Sequence, residues 1–104
     1  MEKEKILNKL KELKPVYQKE GFEILGVFGS YTNNTQTKYS DIDIAYKLDY
    51  EKFSKKYVDG FSKLLRIDSI KEELEIIFKK KVDLVSDSNK KILKDLTYVW
   101  KRNK

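Results

Sequence analysis

Residues suited to phosphate chemistry cluster in the first half of the chain. Gly29-Ser30 directly follows the apolar run Phe22–Phe28, and ten residues later Asp41 and Asp43 alternate with isoleucines. A Gly-Ser turn can hold a phosphate through backbone N–H groups, and paired carboxylates can hold a divalent metal ion. Together the two motifs predict a site for a metal-bound nucleoside triphosphate.

A third aspartate, Asp83, stands in a later apolar run, Val82–Val85. Charged residues rarely occupy apolar strands without a partner, because burying an ion is costly. Converging carboxylates repel one another, and a divalent cation removes that repulsion. Taken alone, an Asp-x-Asp pair more often lies on a solvent-facing strand surface, and Asp83 alone could be an edge-strand charge. Taken together, Asp41, Asp43 and Asp83 predict a shared metal site.

The absence of two residue types narrows the chemistry. The sequence has no cysteine and no histidine. That excludes disulfides, thiolate zinc sites, cysteine nucleophiles and every histidine-based triad. Any metal must then be bound by oxygen, which favours Mg²⁺ or Mn²⁺, and any catalytic base must be a carboxylate, lysine or tyrosine.

Two strands and one helix should position the first part of this site. Apolar residues at helical spacing predict a helix over 2–14, which Pro15 should kink or end, with a short continuation to Glu20 and a stop at Gly21. Strands are predicted over 22–28 and 41–48, with a loop over 31–40 between them. Alternation along the second strand should put both aspartates on one face and the isoleucines in the core.

The second half of the chain predicts further helices and one more strand. Apolar spacing favours a helix over 50–66, and the capping box Ser69-Ile70-Lys71-Glu72 predicts a new helix that buries Leu74, Ile77 and Phe78 and ends in the lysines 79–81. A strand over 82–85 follows. A last helix, capped by Asp87 or Ser88, should bury an apolar stripe that reaches Trp100. We therefore expect a single α+β domain over 1–104, with a small mixed β-sheet flanked by helices.

Charge and hydropathy bear on partners and location. The net charge is +6, and residues 89–104 contribute +5 of it, from six basic residues against one acidic residue. This basic tail indicates either a nucleic-acid or acidic-partner surface or, as we favour, a solvated end. There is no apolar run of 18 residues and no signal-peptide pattern, so we expect a soluble, cytoplasmic protein with no membrane segment.

The combination of Gly29-Ser30, Asp41-Ile42-Asp43 and Asp83 resembles the nucleotidyltransferase superfamily related to DNA polymerase β. The small size and the segment Lys81–Val85 look most like the minimal nucleotidyltransferases called MntA-like antitoxins, over residues from about 22 to 100. The resemblance implies a polymerase β-like fold, with ATP as substrate. It also implies that Gly29 and Ser30 hold the β- and γ-phosphates. Asp41, Asp43 and Asp83 would be the catalytic metal ligands, for one or two Mg²⁺ ions or for Mn²⁺ in their place.

The resemblance also implies an acceptor and a partner. It points to transfer of AMP from ATP to a tyrosine hydroxyl of a HEPN-domain RNase toxin, with this chain as the antitoxin of a hetero-oligomer. One alternative is a nucleotidyltransferase that acts on RNA, such as a tRNA 3′ end. The basic tail favours this, although no aromatic and basic stacking platform is evident. Another alternative is a non-catalytic module that blocks its partner sterically, against which the three intact aspartates argue.

One stretch departs from the family pattern. Members often carry Ala-Arg-Gly shortly after the Gly-Ser pair, where this chain has Thr32-Asn33-Asn34. Asn34 can replace glycine in a left-handed turn, but Asn33 supplies no cation for the phosphates. Lys38 is a candidate substitute, or else a plain solvated lysine. Tyr31 and Tyr39 either line the nucleotide or pack against the loop.

Overall fold

The computed structural model describes residues 3–28, 41–88 and 97–98. In these ranges the helices are α1 (Lys3–Gln18), α2 (Tyr50–Lys56) and α3 (Gly60–Phe78). The strands are β1 (Phe22–Phe28), β2 (Ile42–Leu48), β3 (Val82–Ser86) and β4 (Thr97–Tyr98). None of the helices in these ranges is long and apolar enough to cross a membrane.

The strands form one mixed sheet in the order β3-β2-β1-β4. β1 pairs antiparallel with both β2 and β4, whereas β2 and β3 are parallel. Parallel neighbours need a crossover connection, and α2 and α3 supply it between β2 and β3. The predicted α+β class with a mixed sheet is confirmed.

The core lies where α1, α2 and α3 pack on the sheet. The helices contribute seven fully or nearly fully buried apolar side chains: Ile6, Leu10, Tyr17, Phe53, Ile70, Leu74 and Phe78. The strands contribute Phe22, Ile24, Val27, Ile42, Ile44 and Val82. Leu7, Leu13 and Ile77 are partly buried against this cluster. The stripes predicted for the first helix and for the C-terminal half of α3 are therefore confirmed.

A β-bulge at Leu25 adjusts the faces of β1. Ile24 pairs with Tyr46 and Gly26 pairs with Ala45, so Leu25 is an extra residue without a partner in the register. Strict alternation from Phe22 would turn Gly26 toward the core. The bulge instead turns Val27 inward, where it is fully buried.

Pro15 neither ends nor interrupts α1, which continues to Gln18. A proline removes one helical N–H donor, but this one lies close to the end of the helix, and burial of Tyr17 holds the last turn against the core. The predicted stop is correct: Gly21 has φ +97°, a conformation that favours glycine, and its carbonyl accepts the Asp49 N–H at 2.8 Å.

The break between α2 and α3 differs from the prediction. It falls at 57–59, where Asp59 caps α3 by accepting the Ser62 N–H at 2.6 Å, much as Asp49 caps α2 through the Lys52 N–H at 3.3 Å. Ser69 is inside α3, and its hydroxyl donates to the carbonyl of Arg66. The capping-box prediction was wrong, because a serine can make this bond from a helix interior.

The last predicted helix lies mostly outside the described residues, as do the predicted loop and the basic tail. Within it, Thr97 and Tyr98 form β4, paired with Val27 and Gly26 of β1. The predicted stripe therefore does not continue as a helix through 97–98.

Candidate active site

Asp43 of β2 and Asp83 of β3 are register partners on neighbouring parallel strands. The residues on either side, Ile42 with Val82 and Ile44 with Leu84, are also partners, and Ile42, Ile44 and Val82 are buried in the core. Since successive side chains alternate, the two aspartates lie on the opposite face of the sheet. Adjacent strands are about 4.8 Å apart, which brings the carboxyl groups within reach of each other.

Two hydrogen bonds fix the starts of these strands. The Ile42 N–H donates to the carbonyl of Lys81 at 2.9 Å, and the Val82 N–H donates to Oε2 of Glu75 at 3.0 Å. The first bond sets β2 against the chain entering β3. The second ties β3 to the last turns of α3. Asp43 and Asp83 each follow one of these anchored residues.

The electrostatics of Asp43 reflect this proximity. Burial raises the pKa of its carboxyl group, and the negative charges of Asp83 and Asp41 raise the pKa further, as does a hydrogen bond with the side chain of Asp83. Asp43 and Asp83 are therefore in contact, and Asp41 is close enough for its charge to raise the pKa of Asp43.

The three acids differ in their exposure to solvent. Asp41 precedes β2 and is exposed, Asp83 is exposed, and Asp43 is half-buried. No polar or charged side chain in the described ranges is buried. As the alternation predicted, Ile42 and Ile44 enter the core and Asp43 lies on the other face of the sheet, which also carries the fully buried Ala45. Asp41 and Asp83 are open to a ligand arriving from solvent.

The donor chemistry fits a hard divalent cation. Asp41, Asp43 and Asp83 offer only carboxylate oxygens, the ligands that Mg²⁺ and Mn²⁺ prefer, and a cation would relieve the repulsion that raises the pKa of Asp43. Within 3–28, 41–88 and 97–98, however, no three acidic side chains are close enough to hold a metal ion together. The pair of Asp43 and Asp83 is formed, and the three-ligand site stays a prediction.

The predicted phosphate-binding residues Gly29 and Ser30 lie outside the described residues, as do Thr32-Asn33-Asn34, Lys38, Tyr31 and Tyr39. The residue before Gly29 is described: Phe28, the last of β1, is the register partner of Asp43. The chain therefore leaves β1 toward Gly29 from a position opposite Asp43.

Two features were not found from the sequence. Glu75 looks like an ordinary polar residue of an amphipathic helix, and no sequence signal marks its bond to Val82. The other is a cavity of about 580 Å³ at the far ends of β2 and β3, which we call the distal pocket. Its lining includes Tyr46, Lys47, Leu48, Tyr50, Lys63, Leu64, Ile67 and Asp87. From the sequence alone, the apolar residues of this lining look like core residues of a helix or strand.

Comparison with known proteins relates this chain to a protein family and to a solved structure. A family described as "Polymerase beta, Nucleotidyltransferase" matches residues 8–104. Comparison with curated proteins gives no significant match. A solved structure described as "Crystal structure of the toxin-antitoxin with AMP-PNP" contains a similar chain, with a TM-score of 0.61 and 22% identity over 91% of this chain and 74% of that one. At this identity the likeness shows the fold.

Proposed function

Because this chain belongs to the polymerase beta nucleotidyltransferase family, we propose that it transfers AMP from ATP to a hydroxyl group at the edge of the sheet that carries Asp41, Asp43 and Asp83. The observation that carries the proposal is the pairing of Asp43 with Asp83 on the face of the sheet opposite the core, with Asp41 nearby. These are the positions that the family pattern requires to be acidic.

Each residue has a proposed role. Asp41 and Asp43 hold Mg²⁺, with Mn²⁺ as a substitute, and Asp83 completes a second metal position. Such ions would neutralise the negative charge of the triphosphate and the charge that develops on the leaving pyrophosphate. Gly29 and Ser30 bind the β- and γ-phosphates, and the end of β1 opposite Asp43 supports that placement.

The transfer itself is a single displacement. The acceptor oxygen forms a bond to the α-phosphorus, and the bond from that phosphorus to the bridging oxygen breaks. Pyrophosphate departs with the electron pair, while the proton of the acceptor hydroxyl passes to a carboxylate, for which we propose Asp83. The exposure of Asp83 leaves room for an acceptor to approach it.

The proposed acceptor is a tyrosine of a HEPN-domain RNase toxin, which makes this chain the cytoplasmic antitoxin of a hetero-oligomer. The relative described as a toxin-antitoxin with AMP-PNP, an analogue of ATP, supports both the partner and the nucleotide. The exposure of Asp41 and Asp83 also suits a protein acceptor.

The test is incubation of the protein with ATP labelled on the α-phosphate and Mg²⁺, with the cognate HEPN toxin in one reaction and total tRNA in another. We expect label on the toxin, and mass spectrometry should place it on a tyrosine. Asp43→Asn should abolish labelling while its circular dichroism spectrum is unchanged. Asp68→Asn, at an exposed position of α3, is the matched control.

The other outcomes identify the rival functions. Label on tRNA alone would favour the RNA substrate, which the charge of +5 in residues 89–104 supports. No label in either reaction, with toxin binding intact, would favour a non-catalytic inhibitor. Transfer at a normal rate by Asp43→Asn would refute the assignment of the carboxylates.

A further inference from the structure

Large apolar side chains are exposed mainly on one part of the surface. Seven are exposed in the described residues, and five of these lie between residues 50 and 65. These five side chains are 55–78% exposed. We define the α3 patch as Tyr50, Val58, Phe61, Leu64 and Leu65. Exposed apolar residues scattered singly are normal, but a cluster of this kind marks an interaction site.

The patch follows from the two faces of α3. Phe61, Leu64 and Leu65 have the spacing of one helical face, and Val58 lies just before the helix begins. The residues that anchor α3 to the core, Ile70, Leu74 and Phe78, all lie in its C-terminal half. The N-terminal half of the helix therefore presents an apolar face that the rest of the described chain does not cover.

The distal pocket adjoins this face. Tyr50 and Leu64 belong to both, so the exposed ridge of the patch continues into a cavity with apolar walls from Leu48 and Ile67. A large apolar side chain in such a pocket is the usual centre of a protein–protein interface. Two lysines, Lys47 and Lys63, line the pocket against one carboxylate, Asp87, which favours an acidic group beside the incoming side chain.

We propose that the α3 patch and the distal pocket are the docking surface for the protein partner named in the proposed function. The occupant is a segment of that partner that places a large apolar side chain in the pocket and a carboxylate near Lys47 and Lys63. This inference depends on the proposed function for the identity of the partner, but it is derived from a different part of the molecule.

The docking surface is separate from the carboxylates. Asp43 is the second residue of β2, and Leu48, which lines the pocket, is the last. Five residues of strand span about 16 Å, and the two side chains lie on opposite faces of the sheet. A docked partner therefore leaves Asp41, Asp43 and Asp83 open to the hydroxyl that is to be modified.

The test measures binding of the purified cognate toxin to the wild-type chain and to variants by isothermal titration calorimetry. Leu64→Glu should weaken binding by about 30-fold or more, the loss typical of a central interface residue. Ile76→Glu is the matched control, since Ile76 is an exposed apolar residue of the same helix about 18 Å along its axis from Leu64, and it should bind within about twofold of wild type. Circular dichroism should show all variants folded.

The outcomes separate this inference from the proposed function. Asp43→Asn should bind the toxin like wild type while transferring no label. If wild type binds and labels the toxin and Leu64→Glu binds equally well, the docking surface is wrong and the proposed function stands. If wild type does not bind the toxin, both fail. If sedimentation shows a wild-type dimer that Leu64→Glu dissociates, the patch joins two copies of this chain and the inference is refuted.

Discussion

Oε2 of Glu75 accepts a hydrogen bond of 3.0 Å from the backbone N–H of Val82, the residue that precedes Asp83. The bond connects the end of α3 to the start of β3. Val82 is almost fully buried, so its N–H has no access to water in place of this acceptor. The position of Asp83 opposite Asp43 therefore depends on a glutamate that takes no part in the proposed chemistry.

We expect Glu75→Leu to lower stability and to slow transfer, because it leaves the Val82 N–H without an acceptor. The loss of stability should be about 1–3 kcal/mol, the cost of one unsatisfied buried group. Urea unfolding gives the free energy, and labelling of the acceptor gives the rate.

Glu75→Gln separates the bond from the charge, because the amide oxygen of glutamine can still accept from Val82. It should recover most of the stability and rate lost in Glu75→Leu. Glu72→Leu, at an exposed position of the same helix, should change neither quantity appreciably. A rate for Glu75→Leu equal to that of wild type would show that Asp83 is held by other contacts.

Metal binding should be visible in the stability of Asp43 variants. Without metal, Asp43→Asn should be as stable as wild type or slightly more stable, because the change removes a carboxyl group whose pKa is raised by burial and by Asp83 and Asp41. Added Mn²⁺ or Mg²⁺ should raise the melting temperature of wild type, since a ligand of the native state stabilises it. The rise should be absent in Asp43→Asn and normal in Asp68→Asn. An equal rise in both variants would place the metal elsewhere.

Stability should fall in acid through the cluster around Arg66. Hydrogen bonds from Arg66 lower the pKa of Glu20, and hydrogen bonds from Tyr17 and Arg66 lower the pKa of Glu73, each from a usual value of 4.5. Because folding lowers both pKa values, this stabilisation is complete above about pH 4.5 and is lost as the pH falls through the lower folded values. Urea unfolding between pH 3 and pH 7 should show the decline.

Arg66→Met tests the same cluster by removing its cation. It should cost about 1.5–3 kcal/mol at pH 7, because Arg66 donates to Glu20 at 2.8 and 2.9 Å and to Glu73 at 3.0 Å. It should also flatten the acid decline. Lys9→Met, which removes an exposed pair with Glu12, should cost less than about 1 kcal/mol. A full acid decline in Arg66→Met would assign that decline to other groups.

Two glycines should respond to alanine in opposite directions. A Cβ on Gly21 would lie 2.8 Å from the Phe53 nitrogen and 2.9 Å from the Asp49 oxygen, and its φ of +97° disfavours any side chain, so Gly21→Ala should cost at least about 2 kcal/mol. A Cβ on Gly60 meets no atom within 4 Å, so Gly60→Ala should stabilise α3 by about 0.4–1 kcal/mol. Thermal unfolding measures the stability of both variants. Destabilisation by Gly60→Ala would contradict the claim that the first turn of α3 has room for a side chain at this position.

The strands and the family could be predicted from the sequence because each is encoded by residues close together in the chain. Alternation of Ile42, Asp43 and Ile44 set the two faces of β2, and the match of the family to residues 8–104 confirmed the resemblance that the Gly-Ser and Asp-x-Asp motifs suggested. Helix limits were less predictable, since Asp59 and Ser69 offer competing caps and only tertiary packing decides between them.

The supporting contacts could not be predicted because they join distant parts of the chain. Glu75 meets Val82 only after α3 has packed on β3, and Tyr50 meets Leu64 only around the distal pocket. Apolar spacing likewise does not reveal whether a stripe such as Phe61, Leu64 and Leu65 faces the core or solvent. The roles of Gly29, Ser30, Asp41, Asp43 and Asp83 in catalysis stay predictions for the experiments above.

The bulge at Leu25 has a consequence for how strand length can vary in evolution. Leu25 has no partner in β2, while Ile24 and Gly26 pair with the consecutive residues Tyr46 and Ala45. Deleting Leu25 would therefore leave each remaining pair, including Phe28 with Asp43, in its present register. A deletion elsewhere in β1 would shift one side of the strand to the wrong face. Where related chains are one residue shorter between α1 and the Gly-Ser pair, we expect the gap to align with Leu25.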